Sequence, residues 1–295
     1  MGSRSRDLPP PALRPSSPSD PEARVGTKRE ASWLGSKVQL TEPCEPDAPA
    51  LITDVQTTPA TAHEATVAAA VHAALAARDL LPAPHLADAG YVSADLLVAG
   101  RADHQLDLVG PTQGDTHWQA RTPGAFDAEA FAIDWEAQRA TCPQGHTSVA
   151  WSETRDPHDR VVLTTRFAAA ACRACPGRAH CTHAAHGPRR LTLRPQAQHL
   201  ALREARAREE TAEFREQYAA RAGVEGLLSQ GVHAFGLCQA RYLGLAKAHL
   251  QHLLTATAVN LVRLDAWFAD QPRSATRPNK LALLLAQPLA TAPLA

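Results

Sequence analysis

Four of the six cysteines fall between residues 142 and 181, as Cys142, Cys172-Arg173-Ala174-Cys175 and Cys181. They lie in the stretch that most constrains the fold. From about 112 to 190 the apolar residues keep neither a helical nor a strand period. Trp118, Phe126, Phe131, Trp135 and Trp151 are scattered there among polar residues. Such a segment reads as an insertion of short strands and loops. A C-x2-C knuckle with two further cysteines matches a closed, tetrahedral thiolate site for a structural zinc ion. The 29 residues between Cys142 and Cys172 fit a zinc-ribbon-like module. His146 stands where a second cysteine of the first knuckle would be, and His180, His183 and His186 are alternatives to any one cysteine. The rival reading is four free thiols, which pack as small hydrophobes. Cys44 and Cys238 stand alone and read as non-functional thiols.

The same stretch is basic. Residues 160–203 hold eight arginines and no Asp or Glu, although the whole chain balances 30 basic against 30 acidic residues. A field of that sign attracts phosphate. A module carrying Arg178, Arg189, Arg190 and Arg194 suits the DNA backbone without base readout. The rival is a basic face that only keeps the insertion in solution. Six cysteines in 295 residues do not make a disulfide framework, so a reducing cytoplasm is expected. No run of about 18 apolar residues occurs, so no membrane span is expected.

Around the insertion the pattern is α/β. Residues 1–22 hold six prolines and few large apolar side chains, which predicts a disordered arm. Residues 23–111 form the first part of the core. Strands are expected at 33–41, 51–55, 85–88 and 106–110. A helix is expected at 61–78, with Thr61 and Glu64 as a capping box, and another at 93–101 capped by Ser93. This alternation predicts some parallel pairing. Residues 191–270 are helical: 196–221, with Glu204 and Arg208 as an i,i+4 pair, then about 239–268. Leu243, Leu250, Leu254, Leu261 and Leu264 mark one face of the last helix. Residues 271–295 read as a flexible tail.

Two carboxylates stand out. Asp88 ends a short apolar strand in Asp88-Ala89-Gly90-Tyr91, where α/β active sites form. Glu225 closes the spacing Tyr218-x2-Arg221-x3-Glu225 and is the only acidic residue between Glu216 and Asp265. Converging carboxylates can hold hard divalent cations for phosphodiester cleavage. Read singly, Asp88 is a turn former and Glu225 a surface helix residue.

These motifs resemble the bacterial insertion-sequence transposases of the DDE class, in the branch with a cysteine-bearing insertion. The resemblance also rests on Asp20-Pro21-Glu22-Ala23-Arg24, Trp33, Gly35, Lys37, Thr57-Thr58-Pro59-Ala60, Arg241-Tyr242-Leu243-Gly244-Leu245 and Asn260, and covers about 18–268. It implies a ribonuclease-H-like core with long C-terminal helices. Asp88 and Glu225 would be catalytic carboxylates on magnesium, Arg221 and Arg241 would contact phosphate, and the four cysteines would bind structural zinc. The implied partner is double-stranded DNA at transposon ends, with a homodimer and a nucleoid-associated setting. The family's first catalytic Asp lies on an earlier strand; Asp20 or Asp54 would have to replace it. Val232 stands where the family has a Lys. These departures imply an N-terminally truncated and inactive remnant. The alternative is a non-catalytic zinc-containing DNA-binding protein derived from a transposase.

Overall fold

The computed structural model describes residues 9–28 and 30–271. After a 3-10 turn at Pro11–Leu13 come β1 (Arg24–Lys28), β2 (Ala31–Thr41), β3 (Asp54–Pro59), α1 (Glu64–Ala76), β4 (Pro84–Leu86), α2 (Ala94–His104) and β5 (Asp107–Val109). The middle of the chain holds α3 (Trp118–Arg121), β6 (Ala132–Asp134), β7 (Arg139–Thr141), β8 (Ala150–Arg155), β9 (Val161–Arg166), α4 (Ala169–Ala174), α5 (Arg178–Cys181) and β10 (Arg190–Leu193). Four helices close it: α6 (Gln196–Glu209), α7 (Ala212–Ala219), α8 (Ala222–Phe235) and α9 (Leu245–Phe268). The chain divides into two compact units, one from residues up to 62 together with those from 220 onward, the other from 63 to 219.

In the first unit, β1, β2 and β3 form an antiparallel meander. Val38 pairs with Thr57 and Leu40 with Val55, so these four side chains share one face. Helices α8 and α9 supply Val224, Leu227, Ala256 and Val259 to the core over that face. Leu227 and Val259 are buried, each worth about 1.5–3 kcal/mol relative to exposure. The buried side of α9 is Ala248, Gln251, His252, Ala256 and Val259. The leucine face expected from the sequence points outward instead: Leu250, Leu254 and Leu261 are 56%, 61% and 63% exposed. Both stripes recur at helical spacing. The small residues let α9 come close to β3, where Thr57 Oγ1 meets His252 Nδ1 at 2.7 Å and His249 Nδ1 at 3.1 Å.

The start of α9 has no cap of its own, because Gly244 carries no side chain. Distant carboxylates serve it. Asp20 accepts from the Gly244 N–H at 3.0 Å and Glu22 from the Leu245 N–H at 2.8 Å. Negative charge suits the positive end of a helix. Asp20 and Glu22, at the end of the Pro-rich arm, are thereby tied to α9, and residues 1–8 lie outside the described part. The tail expected at 271–295 lies outside it from 272 onward.

The strand expected at 51–55 begins at Asp54. Leu51 and Ile52 are withheld from pairing because Asn260 grips Ile52 at both ends. Its Oδ1 accepts from the Ile52 N–H at 2.7 Å, and its Nδ2 donates to the Ile52 carbonyl at 3.0 Å. Ile52 is buried, so losing the amide strands two backbone groups. Asn260→Ala is expected to cost about 2–4 kcal/mol, read as a lowered urea midpoint, whereas exposed Thr257→Ala on the same helix stays within about 0.5 kcal/mol.

In the second unit, β4 and β5 pair in parallel through the α2 crossover, as the alternation predicts. Ser93 caps α2 by accepting from the Leu96 N–H at 3.3 Å. Helix α1 starts later than expected. His63 occupies its cap, accepting through Nδ1 from the Ala65 N–H at 3.2 Å, while Ala62 is tied back to Pro59; Thr61 does not cap. Leu97, Leu106 and Leu108 form the core with Ala201 and Ala205 of α6. The expected Glu204–Arg208 pair is replaced by partners on other elements: Glu204 takes Arg101 and Arg208 takes Asp107, both at 2.7 Å. These bonds fix α6 across α2 and β5, a tertiary geometry that helix spacing alone does not show. The helix expected over 196–221 breaks between α6 and α7. His72, buried against His85 and His104, has its pKa pushed down to about 4 by loss of solvent, so it is held neutral.

Between α3 and β10 this unit is built of short strands and short helices. The β6–β7 hairpin and the antiparallel sheet β10-β9-β8 enclose Phe131, Ala140, Phe167, Leu191 and Leu193.

Candidate functional site

Asp88 follows β4 in a turn closed by the Tyr91 N–H donating to the Asp88 carbonyl at 2.8 Å. Its Oδ1 accepts from the Ala89 N–H at 2.8 Å. The preceding residue, Ala87, extends the ladder by donating to the Val109 carbonyl at 2.8 Å. Asp88 thus sits half-buried at the carboxyl end of a parallel strand pair, the position expected for an α/β site. It belongs to the second unit. Glu225 belongs to the first, exposed in the first turn of α8 with Arg221 at the N-cap position. A carboxylate there also suits the helix dipole. Tyr218 lies in the last turn of α7 in the second unit, its ring stacked on Phe214 at 5.4 Å.

Asp20 is held as an anion. The Gly244 N–H is the main cause of its lowered pKa, and the Glu22 and Ala23 N–H groups add to it. Arg241 is exposed, and its backbone N–H donates to Gln251 Oε1 at 2.9 Å. Spacing gave no signal for Glu42, whose side chain is 3% exposed and paired with Arg263. That carboxylate is neutralised where it is buried, which is a structural use.

The four clustered cysteines line one small cavity of about 20 Å3, with Phe126, Phe167, His146, Arg178 and Arg189. That is room for a single water-sized sphere. The first knuckle is a tight turn: the Gly145 N–H donates to the Cys142 carbonyl and the Cys142 N–H to the His146 carbonyl, both at 2.9 Å. Gly145 has φ +78°, which glycine adopts without strain. At the second, the Arg178 N–H donates to the Cys175 carbonyl at 3.2 Å. Among the described residues, no group of three or more His, Cys, Asp or Glu side chains is placed to hold a metal ion. Thiols are soft donors, whose chemistry would suit zinc rather than a hard cation.

The basic residues separate into two groups. Arg178 is structural: its guanidinium donates to the carbonyls of Cys172, Ala184, Ala185 and Gly187. Arg189 is partly buried in the thiol-lined cavity. Arg190 is exposed on β10, directly opposite exposed Arg166 of β9. Thr192 pairs with Thr164, and Thr164 with Ser152, on the same side of the sheet. This outer face presents two adjacent guanidinium groups above a row of hydroxyls. Like charges directly opposite each other are unfavourable unless an anion joins them.

Residues 141–265 match the family model described as the transposase DDE domain. That segment, 125 of the 295 residues, is similar to the transposase DDE domain. The matched segment contains the four cysteines, Arg221 and Glu225; Asp20 and Asp88 lie before it. No curated protein and no solved structure matches the chain. Among the described residues, no helix is long and apolar enough to cross a membrane.

Proposed function

We propose that this protein is a transposase that cleaves and rejoins DNA at transposon ends, with Asp88 and Glu225 as its magnesium-binding carboxylates and Arg221 as a phosphate contact. The family match over Glu225 and its signature carries the reading. The β4-α2-β5 step with Asp88 at its end supports it, and we read the core as ribonuclease-H-like. Magnesium ions held by carboxylates supply activated water and charge stabilisation at the leaving oxygen. Asp20, kept ionised by three backbone N–H groups, is the third carboxylate of this assignment. The protein would act on double-stranded DNA as a homodimer associated with the bacterial nucleoid. Incubation with transposon-end DNA and magnesium tests the reading, which requires metal-dependent strand cleavage.

One observation favours a second reading. The Asp20 carboxylate is already spent on the start of α9, which would leave the site a carboxylate short. The chain would then be a non-catalytic DNA-binding protein. Binding without cleavage in the same assay selects it.

In either case we assign a structural zinc to Cys142, Cys172, Cys175 and Cys181, and DNA-backbone contact to Arg190 and Arg166. Each phosphate contact contributes about one unit to the slope of log affinity against log salt. Arg166→Gln with Arg190→Gln is therefore expected to reduce that slope by about two, evenly across DNA sequences. An unchanged slope removes this face from the interface.

A further inference from the structure

We propose that α9 is the dimer interface of this protein, pairing antiparallel with α9 of a second copy through its outward leucine stripe. The inference deepens the homodimer of the proposed function and rests on that reading, though not on the cleavage chemistry. The two sides of α9 follow separate patterns. Ala248, His252, Ala256 and Val259 pack inward. Leu250, Leu254, Thr257, Leu261, Leu264 and Phe268 run along the outer side at alternating spacings of four and three. Among the described residues, Leu250, Leu254 and Leu261 are more than half exposed and Phe268 is 80% exposed. Alternating threes and fours are the repeat of a coiled-coil seam. Thr257 does not interrupt it, because its hydroxyl donates to the Leu253 carbonyl at 2.9 Å and leaves the methyl for contact. The 24-residue helix holds about three heptads, enough for such a seam. At about 36 Å long and about 10 Å wide, the contact covers on the order of 360 Å2 in plan per helix. That is at the small end of specific interfaces, so the dimer is expected to dissociate on dilution.

Charge selects both the occupant and its direction. Exposed Arg241 and Lys247 lie at the N-terminal end of the stripe, and exposed Asp265 and Asp270 at its C-terminal end. Arg263 is turned inward and paired with Glu42. A parallel copy would set Lys247 against Lys247 and Asp265 against Asp265. An antiparallel copy sets the basic end of each helix beside the acidic end of the other, so the stripe is self-complementary, as a two-fold interface requires. With the two-fold axis level with Val259, Leu250 meets the partner's Phe268, Leu254 meets the partner's Leu264 and Thr257 meets the partner's Leu261. Lys247 then lies against the last turn of the partner helix, where a cation is favourable.

The test is sedimentation equilibrium of the full chain at micromolar concentration, without DNA. Wild type is expected to show a reversible monomer–dimer equilibrium. Leu254→Glu with Leu261→Glu is expected to be monomeric with unchanged circular dichroism, because both side chains are exposed. Lys247→Glu and Asp265→Lys are each expected to weaken dimerisation about 10-fold, since each affects two symmetric rim contacts. Combined, they are expected to restore it, because the two ends are again opposite in sign; this arm does not depend on the leucine variant folding. A monomeric wild type overturns the inference, whether the stripe is covered by the protein's own residues or by another protein. A dimer that survives Leu254→Glu with Leu261→Glu overturns it, as do single charge variants that dimerise like wild type. Cleavage of transposon-end DNA is measured separately, so a monomer that cuts leaves the chemistry of the proposed function standing.

Discussion

Asp88→Asn and Glu225→Gln are each expected to lower magnesium-dependent cleavage of transposon-end DNA by on the order of 1000-fold. The size follows from position. Loss of an outer-shell partner already costs about 10–100-fold, and a direct ligand should cost more. Neither change should unfold the protein. Asn keeps the oxygen that accepts from the Ala89 N–H, so the turn after β4 survives. Glu225 is exposed, and neutralising it forfeits only the few tenths of a kcal/mol that a carboxylate contributes at a helix start. Thermal melts and DNA affinity should stay near wild type. Cleavage that survives Asp88→Asn removes Asp88 from the chemistry.

Gly110→Ala is expected to destabilise the second unit by about 3 kcal/mol or more. A Cβ at Gly110 would stand 2.2 Å from the Ala87 carbonyl oxygen and 2.9 Å from Val92 Cγ2. The first neighbour is backbone in a parallel ladder and cannot swing aside. Relief requires β4 and β5 to part, which stretches the bond from the Ala87 N–H to the Val109 carbonyl. Because Asp88 is the next residue, the strain falls on the candidate carboxylate as well as on stability. Gly114→Ala is the control. A Cβ there meets nothing within 4 Å, so the change should be within about 1 kcal/mol of neutral. Equal urea midpoints for the two variants would contradict the packing described at Gly110.

Local pattern carried the parts of the fold that local physics decides. Ser93 before an apolar stretch marked α2, and alternating strand and helix signals marked the parallel β4–β5 pair. What stayed hidden depends on partners far away in the chain. Asp20 and Glu22 cap a helix that begins more than two hundred residues later, a pairing that composition does not show. Asn260 takes up the backbone of Ile52 and delays β3. Helix α9 buries alanine, glutamine and histidine and exposes leucines, because close approach to β3 outweighs apolar area there. The Asp88 and Glu225 motifs were readable from spacing, yet their placement in different units was not. Arg189 and Arg190 are neighbours in sequence and looked alike. Arg189, just before β10, lines the cavity, whereas Arg190 opens β10 on the outer face.

Strand cleavage of transposon-end DNA by the wild-type chain tests the central claim most directly. The account predicts nicked or cut product that appears with magnesium, disappears with chelator and stops at the element's ends. DNA that stays intact in magnesium, under conditions where the protein is folded and bound to it, would contradict the catalytic reading and leave a DNA-binding protein.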